Sequence, residues 1–280
     1  MQPVHHVGIY TAIMQRFVRL VVPISRTLRI SSSATFCSRL RFASTLSGRS
    51  PPKMTPKSQQ RPGWKANYEK PLLNVHFTPL AVTSDTGLVV FAMEGGKLCP
   101  TAATIDSKYD GAITRAIARS RFTGKVGQTT HLVLSAGGVP ERITVAGIGK
   151  PEVFDSLAAK NVGAAIVSEL QNSGLQSISV AADLIPNCSM TVKDIACSVA
   201  YGARLRSYRF DAYRTTQKDD EKPSLTSLVV MSSNAEAIAD AKHEFAAMCL
   251  PVAESVELAR DLVSEPSNEL NPIGVHDFTV

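Results

Sequence analysis

The chain reads as an α/β domain of three layers, a mixed β-sheet with helices on both faces, ending in a linker helix. Three observations lead there. Short runs rich in Val, Ile and Leu, bounded by Gly, Pro, Asn or Asp, recur from about residue 72 onward. Runs that are apolar on both faces belong to strands covered from both sides. Between them lie stretches with apolar residues at helical spacing, and this alternation builds a sheet with helices packed on it. Roughly 200 residues follow the change in pattern, enough chain to bury a full core.

The strand candidates are GLVVFAM (87–93), THLVLSA (130–136), RITVAGIG (142–149), SISVAAD (177–183) and SLTSLVVMS (224–232). Four helical periods accompany them. In SKYDGAITRAIARS, Tyr109, Ile113 and Ile117 recur every four residues on one stripe. PEVFDSLAAKNVGAAIVSELQNSG places Pro151 in a first turn, aligns Val153, Leu157, Ala164, Val167 and Leu170 on one flank, and stops at Gly174. Thr191 and Asp194 form a capping-box pair for the next helix, and Ser233-Asn234-Ala235-Glu236 opens the last, which runs toward Arg260. Pro251 is expected to bend or break that final helix, because it lacks an amide hydrogen and crowds the preceding turn.

The organisation expected is a presequence-like segment over 1–48, a Pro-, Lys- and Gln-rich linker over 49–71, the α/β domain over 72–233, a linker helix and turn over 234–272, and the start of a further domain over 273–280. Charge supports the first boundary. No Asp or Glu precedes Glu69, while eleven Lys and Arg do. Removing those eleven from the chain's 30 Lys and Arg leaves 19 against 24 Asp and Glu, a net charge of −5 for residues 69–280. The overall +6 therefore belongs to the N-terminus and argues no nucleic-acid face. Arg16, Arg19, Arg26 and Arg29 stand among Phe17, Val18, Leu20, Val21, Val22 and Leu28, the cationic amphipathic pattern of a mitochondrial presequence. Cleavage is expected near residue 42 or 43, and a start at Met54 would instead leave the product cytoplasmic. The same arginines interrupt any run long enough to span a membrane.

Chemistry is sparse. Cys37, Cys99, Cys188, Cys197 and Cys249 are scattered and never spaced as CxxC, so no disulfide framework or zinc site follows. His5, His6, His76, His131, His243 and His276 show no metal-ligand spacing, and Ser135, Ser168 and Ser189 lack a nucleophile elbow. Gly147-Ile148-Gly149 lies between a strand and a helix start, where free amides and the helix dipole can hold an anion. Its missing third glycine favours a tight turn instead. Ala136-Gly137-Gly138-Val139-Pro140 reads as a turn between strands. Residues 204–222 interleave Arg204, Arg206, Arg209 and Arg214 with Tyr208, Phe210 and Tyr213. The acids that follow, Asp219, Asp220 and Glu221, favour a solvated connection whose aromatic rings pack down.

Near the end stands LARDLVSEPSNELNP, a helix that meets Pro266 and Pro272. Ala259-Arg260-Asp261-Leu262, then Glu265-Pro266-Ser267-Asn268, then Asn271-Pro272 resemble the interdomain linker of the leucyl (cytosol) aminopeptidase family. FTGKVGQT (122–129), VAGIGKPEVFD (145–155) and YRFDAYRTT (208–216) stand in that family's order upstream. The resemblance covers about residues 75–280. It implies a macro-domain-like fold for the α/β unit, joined to a catalytic domain that binds two divalent metals, Mn or Zn, and assembles into hexamers. The family's DSGG-, MKxDM- and NTDAEGR-like stretches do not occur in these 280 residues, so no catalytic residue and no metal ligand is assigned. This chain is expected to be inactive alone, with its own catalytic domain and copies of itself as partners. Arg260, Asp261, Glu265, Pro266 and Asn268 are assigned to the linker, and Gly147 and Gly149 to a candidate anion loop. Two other readings stand beside this one: a free-standing binder of ADP-ribose or a nucleotide phosphate, and a non-catalytic assembly paralogue.

Overall fold

A computed structural model describes residues 72–81, 87–134, 142–214, 216–218 and 221–271. The presequence-like segment, the linker over 49–71, the Gly137-Gly138 turn and residues 273–280 lie outside the described residues.

Seven strands form one mixed sheet: β1 (Asn74–Pro79), β2 (Gly87–Met93), β3 (Lys97–Leu98), β4 (Thr129–Val133), β5 (Arg142–Gly149), β6 (Ser177–Ala181) and β7 (Ser227–Ser232). Their spatial order is β1-β7-β6-β2-β5-β4, with β3 paired to β2. The pairs β1–β7, β7–β6, β6–β2 and β2–β5 are parallel, whereas β4 and β3 pair antiparallel. Parallel neighbours require crossovers, which the helices supply. These are α1 (Pro100–Lys108), α2 (Ala112–Arg119), α3 (Ser156–Leu170), α4 (Val192–Ser207), α5 (Ala235–Glu244) and α6 (Leu250–Ser264).

Strand alternation divides the core into two layers, as the three-layer reading requires. On β2, Val89 and Phe91 join a cluster under α3, α4 and α5, while Leu88, Val90 and Ala92 face α1 and α2. The same division holds on β5 (Ala146 and Ile148 against Ile143 and Val145) and on β7 (Leu228 and Val230 against Met231). Each Val, Leu, Ile, Phe or Met among them contributes about 1.5–3 kcal/mol when fully buried. Because every central strand presents apolar side chains to both layers, its sequence reads as a continuous apolar run.

Several local expectations change in the fold. The 109–113–117 stripe is divided between two helices, because Asp110 (φ 50°) and Gly111 (φ 74°) take left-handed conformations between α1 and α2. Buried Asp106 makes that break possible, accepting from the amides of Ile113 (2.7 Å) and Thr114 (3.2 Å) at the start of α2. α3 begins at Ser156, capped by Asp155, which accepts from the Ala158 amide at 2.8 Å. Pro151 belongs to a separate 3-10 turn, so Val153 and Leu157 are 72% and 63% exposed while Val162, Ile166 and Val167 form the buried face. The Thr191–Asp194 capping box forms as expected, and Asn234 caps α5. β1 and α1 were not among the expected elements; β1 is an edge strand with three exposed and three half-buried residues, so its apolar signal is weak.

Pro251 neither ends nor breaks the last helical run. Phe245–Cys249 widen into a π-turn, in which the Leu250 amide donates to the Phe245 carbonyl five residues back. The widened turn accommodates the proline ring where a regular i→i−4 ladder would clash. Ile238, Ala241 and Phe245 lie in the main core, so α5 packs with the α/β unit.

Candidate functional site

The seam between α4 and α6 is where the sequence motifs of most interest meet. On α4, buried Ala196 and Ala200 are followed four residues later by Arg204, which stays on the buried face at 6% exposure. On α6, Ala253, Glu257 and Asp261 recur every four residues and are all buried, so this helix turns carboxylates inward. The Arg204 guanidinium answers them. Its Nε and Nη2 donate to the two Glu257 carboxylate oxygens at 2.8 and 3.2 Å, and its Nη1 donates to the Leu73 carbonyl at 2.7 Å. This paired arrangement is the strong form of an ion pair, and the third bond ties in the chain just before β1.

Farther along, the Tyr208 hydroxyl donates to Asp261 Oδ1 at 2.9 Å, and the Tyr213 hydroxyl donates to a Glu265 carboxylate oxygen. Arg260 lies over the Tyr208 ring, 5.4 Å from its centroid, and donates to the Leu205 carbonyl at 2.8 Å. Burial, with a smaller push from Glu257 and Glu265, raises the Tyr208 hydroxyl pKa against the opposing effects of Ser264 and Arg260. YRFDAYRTT and ARDLVSEP, separate in sequence, are therefore two sides of one contact. Of the aromatic rings expected to pack down, Tyr208 and Phe210 are half-buried but Tyr213 stays 43% exposed; Phe210 and Tyr213 lie 5.8 Å apart, while Asp211 accepts from Arg209 Nε at 2.7 Å. Past the helix, the amides of Glu269 and Leu270 both donate to the Pro266 carbonyl at 2.9 Å. The Asn271 side chain donates to the Asn268 carbonyl at 3.3 Å, which closes the turn.

The structure places Gly147 and Gly149 against a different neighbour. Their amides donate to the carbonyls of Gln128 (2.7 Å) and Gly124 (2.8 Å). A Cβ at Gly147 would stand 2.3 Å from the Lys125 carbonyl oxygen, and Gly149 adopts φ +77° beside Val126. Gly124 itself adopts φ +77°, with its Cβ direction blocked 2.2 Å away by the Met93 carbonyl oxygen. FTGKVGQT and VAGIG thus meet backbone to backbone, a contact only glycine permits.

Two buried carboxylates, Asp183 and Glu257, were not assigned from the sequence. Asp183, buried just past β6, accepts from the Thr101 amide at 2.9 Å and from the Thr101 hydroxyl. It caps α1 from a distant part of the chain, since Cys99 at the cap position contributes no side-chain bond. Burial raises the Asp183 pKa, opposed by its bonds to Thr101, and burial with the adjacent Asp183 pushes the Cys99 thiol up to about 12. An acid directly after the apolar Val180-Ala181-Ala182 was the available signal, since a buried carboxylate must find donors. For Glu257, the signal was its place four residues from both Ala253 and Asp261.

Among the described residues no group of three or more His, Cys, Asp or Glu could hold a metal ion, and no helix is long and apolar enough to cross a membrane. The seam's chemistry is that of docking: charge pairs and hydrogen bonds that fix one helix against another.

Residues 89–217 match the cytosol aminopeptidase family, N-terminal domain. A probable cytosol aminopeptidase of Caulobacter vibrioides is 31% identical over 204 residues, covering 71% of this chain and 39% of that protein. The corresponding protein of Rickettsia canadensis is 35% identical over 205 residues, covering 72% and 40%. One from a Bradyrhizobium species is 37% identical over 203 residues, covering 71% and 39%. The chain thus spans about two fifths of the length of these relatives. In fold, it resembles a tomato leucine aminopeptidase mutant with a TM-score of 0.58 at 23% identity, over 75% of this chain and 41% of that one. The bottromycin maturation enzyme BotP superposes with a TM-score of 0.50 at 22% identity, over 70% of this chain and 36% of its own. The α/β unit whose glycine loops and helix seam are described above is an N-terminal domain of the cytosol aminopeptidase family, and the chain belongs to that family through it.

Proposed function

We propose that this chain is the assembly and regulatory region of an aminopeptidase that removes N-terminal residues from peptides, and that α6 is the joint on which a catalytic domain docks. One observation carries the reading. α6 turns Glu257 and Asp261 inward, yet leaves Leu258 and Val263 outward at 44% and 87% exposure, with Val252 also exposed. A solvated helix places these classes the other way round. Here the inner face is already satisfied by Arg204 and Tyr208, so the outward apolar residues are available to a second body. The family membership supports a catalytic domain as that body.

In this reading the two divalent metals, Mn or Zn, sit with the catalytic domain. The described residues do not fit a metal centre, and no step of hydrolysis is routed through them. Assembly into hexamers and delivery to mitochondria by residues 1–48 belong to the same proposal, resting on the family resemblance and on the cationic N-terminal pattern.

The test is to read the transcript past codon 280, express the product it encodes beside the 280-residue chain, and assay both on a leucyl substrate with manganese. Turnover confined to the longer product is the expected result. Turnover by the 280-residue chain itself would overturn the assignment. Fusing residues 1–60 to a fluorescent reporter checks the targeting, and a diffuse cytosolic signal would refute it.

A further inference from the structure

We propose that Cys197 and Cys249 form a reversible, peroxide-oxidisable thiol pair, a modification site that locks α4 to the π-turn. Their sulfurs stand 3.1 Å apart although the residues are 52 positions apart in sequence. A disulfide closes at about 2.05 Å, so the pair stands about one ångström from bonding distance. Neither partner is engaged elsewhere in a disulfide.

The surroundings give access and assign roles. Both cysteines line an open groove of about 530 Å³, together with Lys160, Met190, Tyr201 and Met248. Cys249 is half-buried at the groove wall, whereas Cys197 is 4% exposed on α4. Burial, the bond to Cys249 and the nearby Glu244 all push the Cys197 thiol pKa up. Cys249 is therefore the thiol that meets oxidant, and Cys197 is the one that resolves the product.

The chemistry balances with a hydroperoxide as oxidant. The Cys249 sulfur attacks one peroxide oxygen and the O–O bond breaks. This leaves Cys249 as a sulfenic acid, and the departing oxygen takes up the thiol proton, as water when the oxidant is hydrogen peroxide. The Cys197 sulfur then attacks the Cys249 sulfur, the S–O bond breaks, and hydroxide leaves with the Cys197 proton as a second water. Two thiols lose two electrons in all, and the peroxide gains them. A dithiol reductant reverses the change by thiol–disulfide exchange.

The reduced 280-residue chain is exposed to hydrogen peroxide, alkylated, digested and mapped by mass spectrometry. The expected product is a Cys197–Cys249 linked peptide pair, lighter by two hydrogens than the two thiol peptides and abolished by dithiothreitol. In the Cys197→Ser chain, Cys249 should instead accumulate as a sulfenic acid trapped by dimedone, and this needs no disulfide to be seen. The proposal fails if peroxide leaves both wild-type thiols alkylatable, if Cys249 links to a different cysteine or a second chain, or if dimedone leaves Cys249 unlabelled in the variant.

Discussion

Two helix seams in this molecule are built in opposite ways. Where α3 crosses α4, Gly163 faces Val199 and Gly202 faces Lys160 so closely that a Cβ would stand 2.1 and 2.0 Å from their carbonyl oxygens. That seam holds no ion pair among the described residues; at its closest approach no side chain intervenes, and Lys160 over the Tyr201 ring and Arg206 donating to Ser168 lie beside it. Where α4 meets α6, the contact is made of Arg204, Glu257, Tyr208, Asp261, Tyr213 and Glu265. The first seam welds two helices into the core. The second attaches a helix through groups that are selective about their partners. Close packing suits a permanent core, and paired polar groups suit a joint whose register matters more than its total strength.

The contrast can be broken first at the charged seam. Glu257→Gln or Arg204→Met leaves one buried charge unanswered and should cost about 3–5 kcal/mol in urea unfolding. The double variant Arg204→Met/Glu257→Leu should recover much of that, because no charge remains to be solvated. Equal loss in single and double variants would show that the pair's geometry, not its charge, is what α6 needs.

At the glycine seam, Gly163→Ala or Gly202→Ala should destabilise by about 1–3 kcal/mol through overpacking, although alanine is otherwise the better helix former. A thermal melt that shifts upward would mean the helices separate without penalty.

Asp183 tests the polar mode inside the core itself. Asp183→Ala strands the Thr101 amide and should cost about 1–3 kcal/mol, while Asp183→Asn keeps an acceptor and should cost less. The raised pKa of Asp183 also sets a sign. The folded chain holds this proton to higher pH than the unfolded chain does. Its stabilising contribution is therefore complete below the ordinary aspartate value of 3.8 and is lost as pH rises through the folded value. Urea melts at stepped pH should show that slope in the native chain and a flatter one in Asp183→Asn.

Smaller effects mark the edges of both seams. Asp155→Ala removes the α3 cap and should cost about 1 kcal/mol in the same melts. Tyr213→Phe deletes one exposed bond to Glu265 and should change stability by less than about 0.5 kcal/mol.

The central strands were legible because burial on both faces leaves a continuous apolar run: the expected bounds of 87–93 and 142–149 coincide with β2 and β5. Capping residues were legible for a related reason. Thr191 with Asp194, and Asn234, act within their own turns, so a few adjacent letters contain the whole interaction. The turn at Asp110–Gly111 was hidden because its cap, Asp106, sits on the previous helix and makes two helical stretches look like one.

By itself, then, the sequence determined the layer architecture, the caps of α4 and α5 and the motifs that carry the family likeness, all of which depend on residues near one another in the chain. Only the tertiary structure decided what those motifs are for. Gly147 reads as an open turn until Lys125 is found against it, and Glu257 reads as a solvated helix charge until Arg204 arrives from 53 residues away. A glycine's necessity and a charge's burial are both set by whatever packs opposite. In each case the opposing group comes from a distant part of the chain.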